Sequence, residues 1–422
     1  MIVDLLNTGT ELMLGRVLNT HQQWLCRQLA DAGYIVARQV AVPDTAADIQ
    51  TAVREGLGRA DLMITTGGLG PTSDDLTRDL IASLLGKPLR EDPELVAHIR
   101  QFFEVRKRRM PESTRVQALV PEGALVLPNP HGTAPGLAME LRPNPFRPGG
   151  TSWLIMLPGP PRELRPMFLD SVLPLLTRVL PKPFAFVCRT LRATGIGESM
   201  VEERLARPLQ PLLKEGLELG YCARPGQVDV RLAAQTNSAQ TLVSRAEAIV
   251  REQLGHFLYG QNEEKIEATL VDLLTRRNQT LALAESCTGG CIAHRLTNVP
   301  GASAVLLAGL VTYSNAAKEK FLQVRSETLK AHGAVSEPVA KEMAEGARNA
   351  TGAHYALSVT GIAGPSGGTP DKPVGTVFLG LAGPFDTLTE RNFNPFDRET
   401  FKQVTAQQAL DLLRRKLLST QF

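Results

Sequence analysis

The first ninety residues alternate short apolar runs with stretches of helical spacing. Ile2 to Leu6 is an apolar run ending in Asn7-Thr8-Gly9. Thr20 to Ala32 sets Trp24, Leu25, Gln28 and Leu29 on neighbouring turns, and Gly33 stops it. Tyr34 to Val42 predicts a strand, and Asp44-Thr45 can cap a helix over Ala46 to Leu57. Asp61 to Thr65 predicts a third strand, followed by Thr66-Gly67-Gly68-Leu69-Gly70-Pro71-Thr72, after which Ser73 or Asp74 can cap the next helix. Such alternation predicts a parallel sheet with helices on both faces, whose ligands sit beyond the carboxyl ends of the strands.

Farther on, the pattern changes twice. Pro121 to Pro166 is rich in Pro and Gly, with one clear apolar run, Trp153 to Leu157, and a surface loop at Arg142 to Gly150. Strand-like Phe184 to Leu191 and Val228 to Ala234, with helix-like Glu198 to Leu205 and Ala239 to Leu254, predict a small α+β unit. A second α/β unit begins near Glu263. It has a helix at Ile266 to Leu274 and strands at Leu281 to Ala284, Ala353 to Val359 and, last, Gly375 to Leu381. The expected division is residues 1–170, 171–260 and 261–422.

Composition narrows the classes. Of 422 residues, 43% are hydrophobic and 21% charged, which excludes wholesale disorder. Forty-six Lys and Arg against 43 Asp and Glu leave +3, too little to argue for a nucleic-acid or membrane partner. Five Cys with no C-x-x-C pair form neither a disulfide framework nor a zinc set, so reduced thiols in a cytoplasmic protein are expected. The longest charge-free window, Leu296 to Ala317, has an apolar centre at Ala302 to Tyr313 that is too short to span a bilayer and reads as buried core. No targeting segment is recognised.

Two constellations carry chemistry. Glu11 follows the first strand, Asp44 the second, and Asp74 and Asp75 the third. Four carboxylates on one rim repel unless a divalent cation joins them. The glycines at 67, 68 and 70 let backbone N–H groups approach a phosphate, and together these features point to metal-assisted phosphoanhydride hydrolysis. The plainer alternative makes the aspartates helix caps and the glycines a turn; neither Walker A nor Rossmann spacing is present.

The second constellation is Glu285-Ser286-Cys287-Thr288-Gly289-Gly290, between a strand and a helix. That position exposes a nucleophile, Ser286 or Cys287, and offers helix N-terminal N–H groups to an oxyanion. Lys318, at the end of the apolar run, loses its proton readily if desolvated and can then serve Ser286 as base. In the plainer alternative Lys318 is a solvated helix residue and Ser286 a cap. Thr360 to Gly368 supplies a second backbone nest for a phosphate or ribose.

These strings resemble the CinA family over nearly the whole chain. Gly9-Thr10-Glu11-Leu12, the loop from Thr66 to Thr77, Gly132-Thr133-Ala134-Pro135-Gly136 and Leu157-Pro158-Gly159-Pro160-Pro161 are similar to its molybdopterin-binding-like domain. Ala284 to Gly290, Val299-Pro300-Gly301, Tyr313-Ser314-Asn315, Gly333 to Ser336 and Thr360 to Pro365 are similar to its nicotinamide-nucleotide amidase domain. The resemblance implies an α/β protein with a KH-type middle domain and two hydrolase sites. At the C-terminal site, nicotinamide mononucleotide would lose its carboxamide nitrogen as ammonia without a cofactor. Ser286 would be nucleophile and Lys318 base, with Tyr313 and Thr288 nearby, and Gly289, Gly290, Thr360, Gly361 and Gly364 would hold substrate. At the N-terminal site, ADP-ribose would be cleaved with Mg²⁺, Mn²⁺ or Co²⁺ on Glu11, Asp44, Asp74 and Asp75, with K⁺ as a further cofactor. Gly67, Gly68, Gly70 and Thr72 would hold that substrate. Both substrates are breakdown products of NAD, so pyridine-nucleotide salvage follows, with homodimers as the implied assembly. Thr10 stands where many relatives carry Asp. Gly195-Ile196-Gly197-Glu198 is not the G-x-x-G clamp of nucleotide-binding KH domains, so the middle domain is expected to be a spacer or dimerisation unit. Two other readings remain: an N-terminal domain that only binds a pterin or nucleotide, and a DNA-uptake or repair accessory protein resting on Arg106-Lys107-Arg108-Arg109.

Overall fold

The strand Val3–Thr8 is buried along its whole length and lies inside a six-stranded sheet. It is flanked by Val36–Val42 and Leu62–Thr66, both parallel to it; Ser152–Leu157 then joins in parallel beside Leu62–Thr66. Strands covered on both faces need continuous apolar runs, as Leu62–Thr66 and Ser152–Leu157 show. Two strands that the expected parallel sheet did not include, Gly136–Leu141 and Leu125–Leu127, extend this edge antiparallel. Leu125–Leu127 has only three residues and Gly136–Leu141 is buried at nearly every position, so neither carries a period-two signature.

The computed structural model describes residues 1–181 and 185–419. The chain divides into two units, Met1–Phe186 with Gln235–Asn237, and Val187–Ala234 with Ser238–Phe422. The expected strand start at Phe184 lies outside the described residues; the strand is Phe186–Thr194. It belongs to a four-stranded sheet with Glu218–Arg224, Gln227–Gln235 and Leu258–Gln261, beside helices Glu198–Lys214 and Ala239–Leu254. This is the small α+β unit expected in the middle of the chain.

The third sheet runs in the order Leu306–Val311, Leu281–Glu285, Tyr355–Gly361, Thr376–Ala382, Thr387–Phe393. Its first three strands are parallel and its last two antiparallel. Thr376–Ala382 is therefore not the final strand. The strand after it alternates between exposed and half-buried positions, as an outermost strand does. The apolar run read as buried core is instead the opposite edge: Leu307 and Val311 are about half exposed. The chain closes with the helix Arg398–Ser419, whose buried Arg414 donates to the His256 and Leu258 carbonyls and to Asp411. No helix among the described residues is long and apolar enough to cross a membrane.

Candidate active sites

Strand register assembles the C-terminal site. Glu285 pairs with Val311 on one side and Val359 on the other. Ser286 and Thr312-Tyr313, which follow their strands, therefore leave the sheet on one rim, beside Thr360-Gly361, which stay paired with Phe378 and Val377. Ser314 caps the helix Asn315–Leu322 through the Ala317 N–H. Side chains on a helix lean toward its N-terminus, so Lys318 on the first turn reaches back to the rim. Its Nζ lies 3.1 Å from Ser286 Oγ, 2.9 Å from the Thr312 carbonyl and 3.2 Å from the Tyr313 carbonyl. Lys318 is 1% exposed, and burial pushes its ammonium below the usual lysine range. The solvated-helix alternative for Lys318 is thereby set aside.

A neutral amine has two N–H bonds and one lone pair. Lys318 Nζ has three acceptors, Ser286 Oγ and the two carbonyls; once it has lost its proton, the carbonyls can keep its two N–H bonds and the lone pair is left for the hydrogen of Ser286. Cys287 points into the hydrophobic core, and burial pushes its thiol up to about 12, so it is not a thiolate near neutrality.

The expected oxyanion donors are displaced. Glu285 accepts from the N–H groups of Gly290, Ile292 and Ala293, at 3.0, 3.1 and 2.8 Å. Gly289 donates to the Ser286 carbonyl, and Cys291 to that of Thr288. Gly289 and Gly290 therefore shape the turn, with positive φ at both, and their N–H groups are not open to substrate. The Cys287 and Thr288 N–H groups have no backbone acceptor among the described residues, and the Cys287 N–H meets only its own thiol. Thr288 is fully buried and its hydroxyl has no partner there either. Thr360 turns its hydroxyl to the Ala334 carbonyl, so only its backbone faces the rim.

One residue was missed in the sequence. Arg398 opens the last helix, 85 residues from Tyr313 in the chain, and donates to the Tyr313 hydroxyl at 2.7 Å and to the Gly364 carbonyl at 2.9 Å. No local motif marks it; only the packing of the last helix brings it here.

At the N-terminal site, Thr8 lies opposite Val42, Asn7 opposite Thr66, and Thr66 opposite Leu157. The loops beyond line a cleft of about 580 Å³ that contains Glu11, Asp44, Gly67, Gly68, Gly70, Asp74 and Asp75. The N–H groups of Gly68, Leu69 and Gly70 have no protein acceptor among the described residues, which makes a backbone nest for an anion. A Cβ at Gly68 would sit 2.0 Å from Thr77 Oγ1, and φ there is +65°. The glycine is thus required by loop packing as well as by any ligand.

The four carboxylates share the cleft but do not converge. No group of three or more His, Cys, Asp or Glu placed to hold a metal ion occurs among the described residues. Asp44 accepts from the Thr10 N–H and hydroxyl, and Asp75 from the Thr72 N–H and hydroxyl. Two of the proposed ligands are therefore bound into their own loops, and Thr72 holds Asp75. Of the expected caps, Thr45 of the Asp44-Thr45 pair does cap Ala46–Leu57, whereas neither Ser73 nor Asp74 caps Thr77–Leu84, which has no side-chain cap. What the cleft does offer is four buried polar atoms with no partner among the described residues, Asn7 Oδ1, Gln117 Oε1, Asn19 Nδ2 and His21 Nδ1.

Comparison with known proteins agrees with this architecture. Residues 4–178 match a molybdopterin-binding-type domain, 188–260 the damage-inducible protein CinA KH domain, and 263–417 the CinA C-terminal domain. A competence-damage inducible protein of Symbiobacterium thermophilum is 46% identical over 99% of both chains. A CinA-like protein of Akkermansia muciniphila is 44% identical over 97% of this chain and 95% of its own. The crystal structure of competence/damage-inducible protein CihA from Agrobacterium tumefaciens is 39% identical, covers 36% of this chain and 92% of its own, and superposes with a TM-score of 0.35. Full-length similarity at this level, over all three domains, shows that the chain belongs to the CinA family.

Proposed function

We propose that the C-terminal site is a serine amidase acting on nicotinamide mononucleotide. The observation that carries this is the buried Lys318 amine 3.1 Å from Ser286 Oγ. Ser286 Oγ attacks the carboxamide carbon while its proton passes to Lys318 Nζ. The oxyanion takes the Cys287 and Thr288 N–H groups. Lys318 then gives the proton to the departing nitrogen, and ammonia leaves. Water, deprotonated by the same amine, cleaves the acyl-serine to nicotinate mononucleotide. Arg398 supplies a cation beside Tyr313 for the nucleotide phosphate. The test is ammonia release from nicotinamide mononucleotide by wild type, Ser286→Ala, Cys287→Ala and Lys318→Ala. Full rate in Ser286→Ala, with loss in Cys287→Ala, would overturn the assignment.

For the N-terminal cleft the structure favours ligand binding. With Asp44 and Asp75 tied into their own loops, its carboxylates do not fit a metal centre. The nest at Gly68–Gly70 suits a phosphate, and the unpartnered Asn7, Gln117, Asn19 and His21 atoms suit a ligand with both donors and acceptors, such as a nucleotide or pterin. ADP-ribose is the first ligand to try, with Mg²⁺, Mn²⁺ or Co²⁺, with and without K⁺, and with chelator. Binding heat without product supports a binding module; cleavage abolished by chelator supports the metal-dependent pyrophosphatase. Both ligands derive from NAD, which makes pyridine-nucleotide salvage the role and small nucleotides the partners. A homodimer belongs to the same proposal, to be checked by sedimentation. DNA binding is not part of it: an accessory role predicts binding that weakens steeply with salt.

A further inference from the structure

Glu285 ends its strand and directly precedes Ser286, and it is 1% exposed. A buried carboxylate is costly unless hydrogen bonds compensate it. Here three backbone N–H groups do so: Gly290 and Ile292 donate to Oε2, and Ala293 to Oε1. These are donors that the start of the helix Cys291–Thr297 cannot satisfy within itself. The consequence falls on the turn between. Its Gly289 and Cys291 N–H groups are used internally, so those of Cys287 and Thr288 are left without a backbone acceptor among the described residues.

We infer that Glu285 is a positioning residue for the nucleophile turn. By tying down residues 290–293 it holds Ser286–Gly290 in the shape that aims the Cys287 and Thr288 N–H groups at one oxygen, and it keeps the neighbouring donors from competing for that oxygen. It acts through the backbone and touches no substrate. The inference rests on the amidase reading of the same site, so its test needs a readout independent of the substrate.

That readout is phosphonylation of Ser286 by a fluorophosphonate, followed by intact-protein mass on the full chain, beside ammonia release from nicotinamide mononucleotide. In Glu285→Gln the side-chain amide places an NH₂ against a backbone N–H, and the turn must open. The expected result is a folded protein, shown by its melting curve, with phosphonylation and kcat reduced roughly 100-fold and KM within about threefold, the scale of losing an oxyanion donor. In Glu285→Ala, formate should restore part of both rates saturably, while chloride at equal ionic strength should not; Ser286→Ala should not respond. A purely structural role predicts loss in proportion to unfolded protein and no formate response. Wild-type phosphonylation in folded Glu285→Gln overturns the inference, and that variant alone decides if Glu285→Ala does not fold. Wild-type protein that phosphonylates at Ser286 but releases no ammonia would sink the substrate reading only, leaving Glu285 to be judged on phosphonylation. Wild-type protein that does neither ends both.

Discussion

Lys318→Met separates chemistry from folding. Methionine matches the length of the lysine stem and removes the amine. Two backbone carbonyls, Thr312 and Tyr313, lose their donor, at about 1–3 kcal/mol each if they stay dry. Against this, the wild type buries an amine at 1% exposure, and that cost disappears. The two effects oppose, so stability should change by no more than about 2 kcal/mol, a melting shift of roughly 4–8 °C for a unit of this size. Activity has no such compensation. Loss of a general base held 3.1 Å from the nucleophile should lower kcat about 10²–10⁴-fold. The assay is ammonia release with saturating nicotinamide mononucleotide, run beside a thermal melt. The pH profile adds a second arm. Because burial lowers the amine's pKa, its neutral form is reached at lower pH than for free lysine. The wild-type rate should therefore rise with pH along a limb below the ordinary lysine value, and that limb should vanish in the variant. A folded Lys318→Met that keeps more than a tenth of kcat would refute the general-base role.

Other outcomes follow from single contacts. Cys287→Ala should keep ammonia release within about threefold, since its thiol is buried and held near 12; a loss comparable to Ser286→Ala would contradict this. Arg398→Ala should raise KM for the mononucleotide about tenfold with little change in kcat, and a matching loss on a phosphate-free nicotinamide riboside would refute the phosphate contact. Gly68→Ala should destabilise the N-terminal unit by about 1–3 kcal/mol, because its Cβ meets Thr77 and φ is positive; an unchanged denaturation midpoint would show that the loop yields. Asp4 is 3% exposed, and burial raises its carboxyl above the usual range despite Arg59. The folded state then binds more protons than the unfolded one between the two pKa values, so this group costs stability as pH rises through that window, and the cost persists above it. Asp4→Asn should accordingly raise the melting temperature at pH 7 and leave it unchanged near pH 3, as read by calorimetry.

The helix over Ala46–Leu57, the helix over Ala239–Leu254 and the central strands were legible because burial on both faces, or on one stripe, forces apolar residues into a period that any neighbour must respect. The loop strings around Ser286 and Gly67 were equally legible, since turns with positive φ demand glycine at particular places in the chain. Three matters lay beyond such local constraint. That Leu306–Val311 is an edge depends on which strands pair with it, and an apolar run looks alike in either position. That Lys318 is buried, and that Glu285 rather than an oxyanion takes the helix-start donors, follows from strand register and helix packing across 32 residues of chain. Arg398 reaches the rim, and the four N-terminal carboxylates fail to converge, for the same reason: hydrogen bonds act over about 3 Å, so distances set by the folded backbone decide them, and residue order does not.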